Sequence, residues 1–229
     1  MGILSDNDTQ EVRKIFGTLV QDVHVKVYTQ KLECPTCRDT EVILRELDGL
    51  SEKLKVSFLN LQTDRDKAEK DGVDRAPVII ISNGTHSRVK FYGTPSGYEF
   101  SSLLTTIIDT GGAEEPLTED TIQFLNDLDK DLVMQVFVTP ACPHCPSSAV
   151  LASRMARYSD FVRSEVIEAN EFPELSRNFR GQGVPRTIVN GIFFAEGSLS
   201  ETMMVNALKK GLADNPSEET NLLDYLQND

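Results

Sequence analysis

The sequence has few cysteines, little basic charge and no long apolar run. Four cysteines in 229 residues are too few for a disulfide-dense secreted scaffold. Lys and Arg number 23 against 36 Asp and Glu, so the formal net charge is −13, and the basic patch typical of nucleic-acid-binding proteins is missing. No stretch reaches the roughly 18 apolar residues of a membrane-spanning helix. We therefore expect neither nucleic-acid binding nor membrane insertion.

The amino-terminal segment lacks the pattern of a secretion signal. It reads MGILSDNDTQEVRKIF, without a charged stretch followed by an apolar one and without a cleavage site. The composition, 39% hydrophobic and 26% charged, is typical of a globular chain rather than a disordered one. We expect a cytoplasmic protein with a solubilising acidic tail, because the last 19 residues hold five acids and no Lys or Arg.

The four cysteines form two C-x-x-C pairs, 108 residues apart. They are Cys34-Pro35-Thr36-Cys37 and Cys142-Pro143-His144-Cys145. A proline, Pro77 or Pro185, lies 43 residues after the first cysteine of each pair. Apolar strand-forming residues and an Asn-Gly turn signal follow each proline. This recurrence predicts an internal duplication, with one domain over residues 1–112 and another over residues 113–229.

Hydrophobic periodicity predicts the same order of elements in both repeats. A strand precedes each cysteine pair, and helical spacing begins at Cys37 and at Cys145. A second strand, a short helix, a hairpin after the proline and a closing helix follow. An extra amphipathic helix precedes each repeat, at residues 7–20 and 118–130. We expect an α/β protein of two tandem domains, each a central mixed sheet flanked by helices.

A C-x-x-C pair that follows a strand and opens a helix favours redox chemistry. The free N–H groups and the positive end of the helix dipole stabilise a thiolate there. Pro35 and Pro143 are expected at the first helical position, where a missing N–H costs nothing. The second cysteine is close enough to close a disulfide. His144 can carry positive charge and lower the pKa of the neighbouring thiol, whereas Thr36 cannot, so we expect the second site to be the more oxidising.

The two prolines supply a second part of each expected site. A proline just before a strand can follow a cis bond, and its turn can bring backbone groups beside the cysteines. Because proline has no N–H, the flanking backbone is left to pair with an extended substrate strand. Pro77, Pro185, Ala76 and Val184 are therefore candidate substrate-binding residues.

Three segments carry a resemblance to a known family. They are Cys142–Pro146 with Ala149-Val150 and Met155-Ala156, then Gly72–Pro77, and finally Tyr92–Phe100. They resemble the protein disulfide oxidoreductases of archaea and bacteria, which are glutaredoxin-like proteins with two thioredoxin folds. The resemblance covers roughly residues 5–212. It implies that both predicted domains are thioredoxin- or glutaredoxin-like.

The resemblance also implies an activity, which is dithiol–disulfide exchange with protein thiols. Cys34 and Cys142 would attack, and Cys37 and Cys145 would resolve. The pairs Cys34–Cys37 and Cys142–Cys145 would be redox-active disulfides, with no other cofactor bound and no metal. Cis-prolines at Pro77 and Pro185 are implied as well. So is reduction by an NADPH-dependent flavoprotein that resembles thioredoxin reductase.

Thioredoxins carry a buried Asp on the strand that leads to the cysteines, and this chain has no evident counterpart. Tyr28 and Val136 occupy the aligned positions. Glu168, on the second strand of the second repeat, is our candidate proton acceptor for the resolving thiol, and its repeat counterpart is Asn60. An exposed carboxylate at a strand end would have no such role.

Other interpretations account for fewer of these features. Zinc sites usually separate their cysteine pairs by about 15–20 residues and give the prolines no role. A structural disulfide across three residues constrains almost no loop. Two functional alternatives stay open. One is an electron-relay module that supplies a peroxiredoxin, as in the N-terminal part of alkyl-hydroperoxide reductase flavoproteins, which typically keep only the second pair. The other is a peptide-binding chaperone with incidental cysteines.

Overall fold

Helices and strands follow one another in the same order in the two halves of the chain. The computed structural model describes residues 3–84, 88–113, 116–177, 183–191 and 193–213. In the first half the elements are α1 (Asp6–Phe16), β1 (Val23–Thr29), α2 (Cys37–Asp48), β2 (Leu54–Asn60), α3 (Arg65–Asp71), β3 (Val78–Ser82), β4 (Val89–Tyr92) and α4 (Tyr98–Thr110). In the second they are α5 (Glu119–Asn126), β5 (Leu132–Val138), α6 (Cys145–Tyr158), β6 (Val162–Glu168), α7 (Pro173–Arg177), β7 (Arg186–Val189), β8 (Phe193–Glu196) and α8 (Glu201–Ala213).

The strands of each half pair in the same mixed arrangement. The order is β2-β1-β3-β4 in the first half and β6-β5-β7-β8 in the second. β1 runs parallel to β2 and antiparallel to β3, and β5 relates to β6 and β7 in the same way. The expected α/β class, with mixed sheets flanked by helices, is confirmed. Among the described residues, no helix has the length and apolar character that crossing a membrane requires.

Contacts divide the described residues into two compact units. The first comprises those within Met1–Ser96 and Leu103–Glu115, and the second those within Gly97–Ser102 and Pro116–Asp229. The first turn of α4 therefore belongs to the second unit. The domain boundary after residue 112 stays a prediction.

Burial explains why these segments fold as they do. Every residue of β3 is buried, as expected for an apolar strand that is covered on both faces. In α2 the buried residues include Ile43, Leu44 and Leu47, the stripe that the apolar spacing predicts. Gly49 follows as the C-cap, so the helix ends just before the predicted limit at Leu50.

The strand registers reveal a one-residue difference between the units. Thr29 pairs with Asn60, and Val138 pairs with Glu168. Four residues separate Thr29 from Cys34, but only three separate Val138 from Cys142. The loop before the first cysteine pair therefore carries one extra residue.

The same registers correct one sequence alignment. Tyr28 lies opposite Val78, the residue after Pro77. Phe137 lies opposite Arg186, the residue after Pro185. Phe137, rather than Val136, is thus the structural counterpart of Tyr28, because the extra loop residue shifts the alignment of β1 with β5 by one position.

Candidate redox sites

Each cysteine pair forms a disulfide at the start of a helix. The S–S distances are 2.06 Å for Cys34–Cys37 and 2.16 Å for Cys142–Cys145. α2 begins at Cys37 and α6 at Cys145. The second cysteine of each pair is thus the first helical residue, and its partner sulfur is bonded to it. Both sulfurs of each pair lie at the positive end of a helix dipole, which stabilises a thiolate when the disulfide is reduced.

The prolines around the cysteines occupy other positions than expected. Pro35 and Pro143 lie before the helices rather than at the first helical position, because the N-caps are Thr36 and His144. Pro146 is instead the proline in the first turn of α6. Its missing N–H has no partner to lose there.

Exposure distinguishes the two cysteines of each pair. Cys34 is partly exposed, whereas Cys37 is 3% exposed. In the second unit Cys142 is 8% exposed and Cys145 is fully buried. The first cysteine of each pair is thus the one that an incoming sulfur reaches more easily. The main-chain N–H of Gln30 points at Cys37 Sγ over 3.3 Å, an arrangement that favours negative charge on this sulfur after reduction.

The structure places the proline loop beside the cysteines in the second unit. The main-chain oxygen of Val184 lies 3.7 Å from Cys142 Sγ. The Ala76–Pro77 and Val184–Pro185 peptide bonds are both cis, the isomer that the family resemblance implies. Pro77 and Pro185 are buried, while Ala76 and Val184 are partly exposed and hence accessible to a substrate backbone.

His144 occupies the N-cap of α6 without forming a side-chain cap. Its side chain is exposed, and its main-chain oxygen accepts a hydrogen bond from Ser147 Oγ at 2.8 Å. The effect of His144 on the Cys142 thiol stays a prediction. Among the residues with assigned coordinates, no group of three or more His, Cys, Asp or Glu side chains is arranged to hold a metal ion.

Glu168 is buried rather than exposed at its strand end. It is 2% exposed, and burial raises the pKa of its carboxyl. Oε1 accepts hydrogen bonds from the main-chain N–H and side-chain amide of Asn170, and Oε2 accepts one from the N–H of Glu171. The carboxylate therefore holds the turn that leads to α7.

Asn60 does the same work at the matching place in the first unit. Its Oδ1 accepts hydrogen bonds from the N–H groups of Gln62 and Thr63 at 3.0 and 3.1 Å. Both repeats thus use the last side chain of a strand to accept from the N–H groups two and three residues ahead. This shared arrangement gives Glu168 a structural role that is independent of catalysis.

The first unit places a hydrogen-bonded chain where thioredoxins carry the buried Asp. The Tyr28 hydroxyl donates to Asp71 Oδ2 at 2.6 Å, and Lys26 Nζ lies 2.8 Å from both Asp71 oxygens. Burial and then the Asp71 carboxylate raise the pKa of Tyr28 well above its ordinary value of 10. Tyr28 therefore stays protonated and serves as a donor.

The second unit holds another buried carboxyl, which sequence patterns do not reveal. Glu99 is 3% exposed, and its Oε1 has no hydrogen-bond partner among the described residues. Burial, and then the charges of Glu168 and Glu171, raise the pKa of Glu99 to about 9. Glu99 opens α4, where an acidic first-turn residue normally signals only a helix start, so its burial leaves no signal in the sequence.

Comparison with known proteins identifies the fold. Residues 132–209 match the family model of a thioredoxin domain. The crystal structure of a protein disulfide oxidoreductase from Aeropyrum pernix is similar, with a TM-score of 0.84 and 26% identity over 90% of this chain and 93% of that one. The NTD_N/C domain of the alkylhydroperoxide reductase AhpF from Enterococcus faecalis has a TM-score of 0.81 and 23% identity, over 90% and 99% of the two chains.

Curated relatives include longer proteins. The alkyl hydroperoxide reductase AhpF of Escherichia coli is 25% identical over 212 residues, which are 87% of this chain but 39% of that protein. The chain thus spans about two fifths of the length of such relatives. Taken together, the chain is a tandem of two thioredoxin-like units, each with a C-x-x-C disulfide, which is the general architecture of thiol–disulfide oxidoreductases.

Proposed function

We propose that the chain is a protein dithiol–disulfide exchange enzyme that uses both C-x-x-C sites. The observation that carries the proposal is the repeated geometry of each unit. A disulfide sits at a helix N-terminus with its first cysteine the more exposed, and a proline loop precedes the strand next to it. The similarity to a protein disulfide oxidoreductase over 90% of the chain supports the same activity.

In the reductive direction, the thiolate of Cys34 or Cys142 attacks one sulfur of a substrate disulfide. A mixed disulfide forms, and the other substrate sulfur leaves as a thiolate that takes up a proton. Cys37 or Cys145 then loses its proton and attacks the mixed disulfide, which releases the second substrate thiol and leaves the enzyme disulfide. Two electrons have moved from the enzyme to the substrate. The reverse sequence oxidises a substrate dithiol.

The substrate backbone binds beside the prolines in this proposal. Ala76 and Val184 offer partly exposed main-chain groups, and Val184 O already lies 3.7 Å from Cys142 Sγ. An extended substrate segment that pairs there would bring its sulfur to the attacking cysteine. An NADPH-dependent flavoprotein resembling thioredoxin reductase would regenerate the dithiols, in a reducing compartment such as the cytoplasm.

Insulin reduction with dithiothreitol as electron source tests the proposal. We expect Cys34→Ser/Cys142→Ser to lose catalysis, since both attacking sulfurs are gone. The matched variant Cys37→Ser/Cys145→Ser keeps the attacking thiols and should accumulate mixed disulfides with the substrate, visible by non-reducing electrophoresis. Insulin reduction at the wild-type rate by the first variant would falsify the mechanism.

Glu168 is proposed as the proton acceptor for Cys145. It ends β6 beside Val138, the last residue of β5, from which the loop to Cys142 departs. Glu168→Gln should slow the resolving step at neutral pH and flatten its pH profile. A purely structural role predicts lower stability with an unchanged pH profile, and Asn60→Asp in the first unit is the control.

The alternative of electron supply to a peroxiredoxin has its own supporting observation. It is the 25% identity to an alkyl hydroperoxide reductase protein across 212 residues. A coupled assay with NADPH, a flavoprotein reductase, a peroxiredoxin and a hydroperoxide distinguishes the two functions. Peroxide-dependent NADPH oxidation that requires Cys142 and Cys145, without turnover of insulin, would favour the relay function.

A further inference from the structure

A cleft of about 490 Å³ opens beside the first disulfide. Both cysteines border it, together with Lys31, Arg38 and Phe58. β2 and β3 flank β1 on opposite sides, so this cleft, which β2 lines, is separate from the Pro77 loop that precedes β3. The cleft thus gives a second approach to the Cys34–Cys37 disulfide.

The uncommitted charge of the cleft is positive. Its two carboxylates are already neutralised, because Glu41 Oε1 lies 2.6 Å from Arg45 and Asp64 Oδ1 lies 2.8 Å from Lys67. Lys31 and Arg38 are exposed and form no ion pair with any described residue. Two unpaired cations next to a disulfide, in a chain of net charge −13, favour an anionic ligand.

The duplication shows that the fold does not require this cleft. The second-unit counterparts of Arg38 and Glu41 are Pro146 and Ala149, and those of Phe58 and Leu59 are Val166 and Ile167. Ala149, Val166 and Ile167 are at most 1% exposed. Lys31 lies in the loop that is one residue longer than its counterpart. Cleft and cations are therefore particular to the first unit.

We propose that this cleft binds a small thiol or disulfide that carries carboxylates, and presents its sulfur to Cys34. The volume lies within the range of small-molecule sites, and Lys and Arg side chains recognise carboxylates. Only Cys34 is partly exposed, so the ligand sulfur reaches that cysteine rather than Cys37. The inference rests on the proposed redox activity of the first site and adds a class of substrate to it.

The exchange at this cleft takes two steps. A ligand thiolate attacks Cys34 Sγ, the Cys34–Cys37 bond breaks, and Cys37 leaves as a thiolate that takes up a proton. A second ligand thiolate attacks the mixed disulfide at the ligand sulfur and releases Cys34. Two ligand thiols become one ligand disulfide, and the enzyme disulfide becomes two thiols with the two protons that the ligands lost.

The test uses the full chain with Cys142→Ser/Cys145→Ser, so that one disulfide remains. Reduction by mercaptosuccinate, an anionic thiol, is compared with reduction by neutral 2-mercaptoethanol at equal ionic strength, using alkylation and mass spectrometry. We expect the mercaptosuccinate rate to saturate with concentration and succinate to compete with it. Lys31→Gln/Arg38→Gln should slow mercaptosuccinate by about fivefold or more and leave 2-mercaptoethanol within about twofold.

The matched control is Arg65→Gln/Lys70→Gln, which removes two charges from α3, outside the cleft. A linear mercaptosuccinate rate without competition by succinate overturns the inference. So does an equal loss in the control variant, which would show general attraction rather than a site. If neither thiol reduces the disulfide, the proposed function fails as well. Normal reduction by 2-mercaptoethanol without any effect of charge overturns the cleft alone.

Discussion

Cys34 is partly exposed beside a polar cleft, whereas Cys142 is 8% exposed and Cys145 fully buried. The elements that hold the two disulfides are nevertheless the same. Each disulfide follows the central strand of its mixed sheet, and its second cysteine opens the next helix. Duplication has therefore kept the support of the disulfide and changed the approach to it. This comparison separates residues that maintain the fold from residues that choose a partner.

Buried carboxyl groups differ between the units as well. In the first unit the Asp71 carboxylate has the Lys26 ammonium and the Tyr28 hydroxyl as partners. In the second unit Glu99 is more deeply buried, and its Oε1 has no described partner. The first unit thus compensates its carboxylate, while the second keeps Glu99 protonated at neutral pH.

The largest effect is expected where the shared turn is broken. Glu168→Ala removes the acceptor of three hydrogen bonds in a partly buried turn and should lower the free energy of unfolding by about 3 kcal/mol. Asn60→Ala removes two exposed hydrogen bonds and should cost about 1 kcal/mol. Urea denaturation measures both. Equal losses would show that burial of the turn does not set the difference.

Glu99 gives the second prediction, which concerns pH. Its folded pKa of about 9 lies above the ordinary value of 4.5. Its contribution to stability is therefore fully present below about pH 4.5 and is lost as the pH rises towards 9. Glu99→Gln imitates the protonated group, so at pH 8 it should raise the free energy of unfolding by about 2 kcal/mol.

Thermal denaturation from pH 5 to pH 9 measures this effect. The difference between Glu99→Gln and wild type should grow with pH. Glu174→Gln removes an exposed acid from the same unit and serves as the control. A constant difference across the range, or an equal change in the control, would show that Glu99 does not hold a proton at neutral pH.

The sequence predicted what spacing and periodicity encode. The cysteine pairs, the prolines at a constant distance and the apolar stripes revealed the duplication, the order of elements and both disulfides. Glu99 and the cleft at Lys31 and Arg38 escaped because burial and the pairing of charges depend on which elements pack together. The extra loop residue also escaped, because only strand register shows where β1 ends relative to Cys34.

The third prediction concerns the redox potentials of the two sites. His144 lies beside Cys142, and Thr36 holds the matching position in the first unit. A cationic imidazole stabilises the reduced thiolate form, so the second site should have the higher potential, by about 30 mV or more. Glutathione titration of the two variants with one intact disulfide each measures both values.

Exchanging the two residues sharpens that test. His144→Thr should lower the potential of the second site, and Thr36→His should raise that of the first. A second site whose potential equals or falls below that of the first contradicts the prediction. A difference that survives both exchanges would instead assign it to burial of Cys142.

The smallest effect is expected at the extra loop residue itself. Glu33 has a φ of 57°, a conformation that costs a residue with a Cβ about 1 kcal/mol and costs glycine nothing. Glu33→Gly should therefore stabilise the chain by about 0.5 kcal/mol, since glycine also gains entropy in the unfolded state. Its matched control, Ala141→Gly, precedes Cys142 at a position without positive φ and should destabilise by a similar amount. Urea denaturation of the pair decides the point, because two changes of the same sign would mean that the extra residue is accommodated without backbone strain.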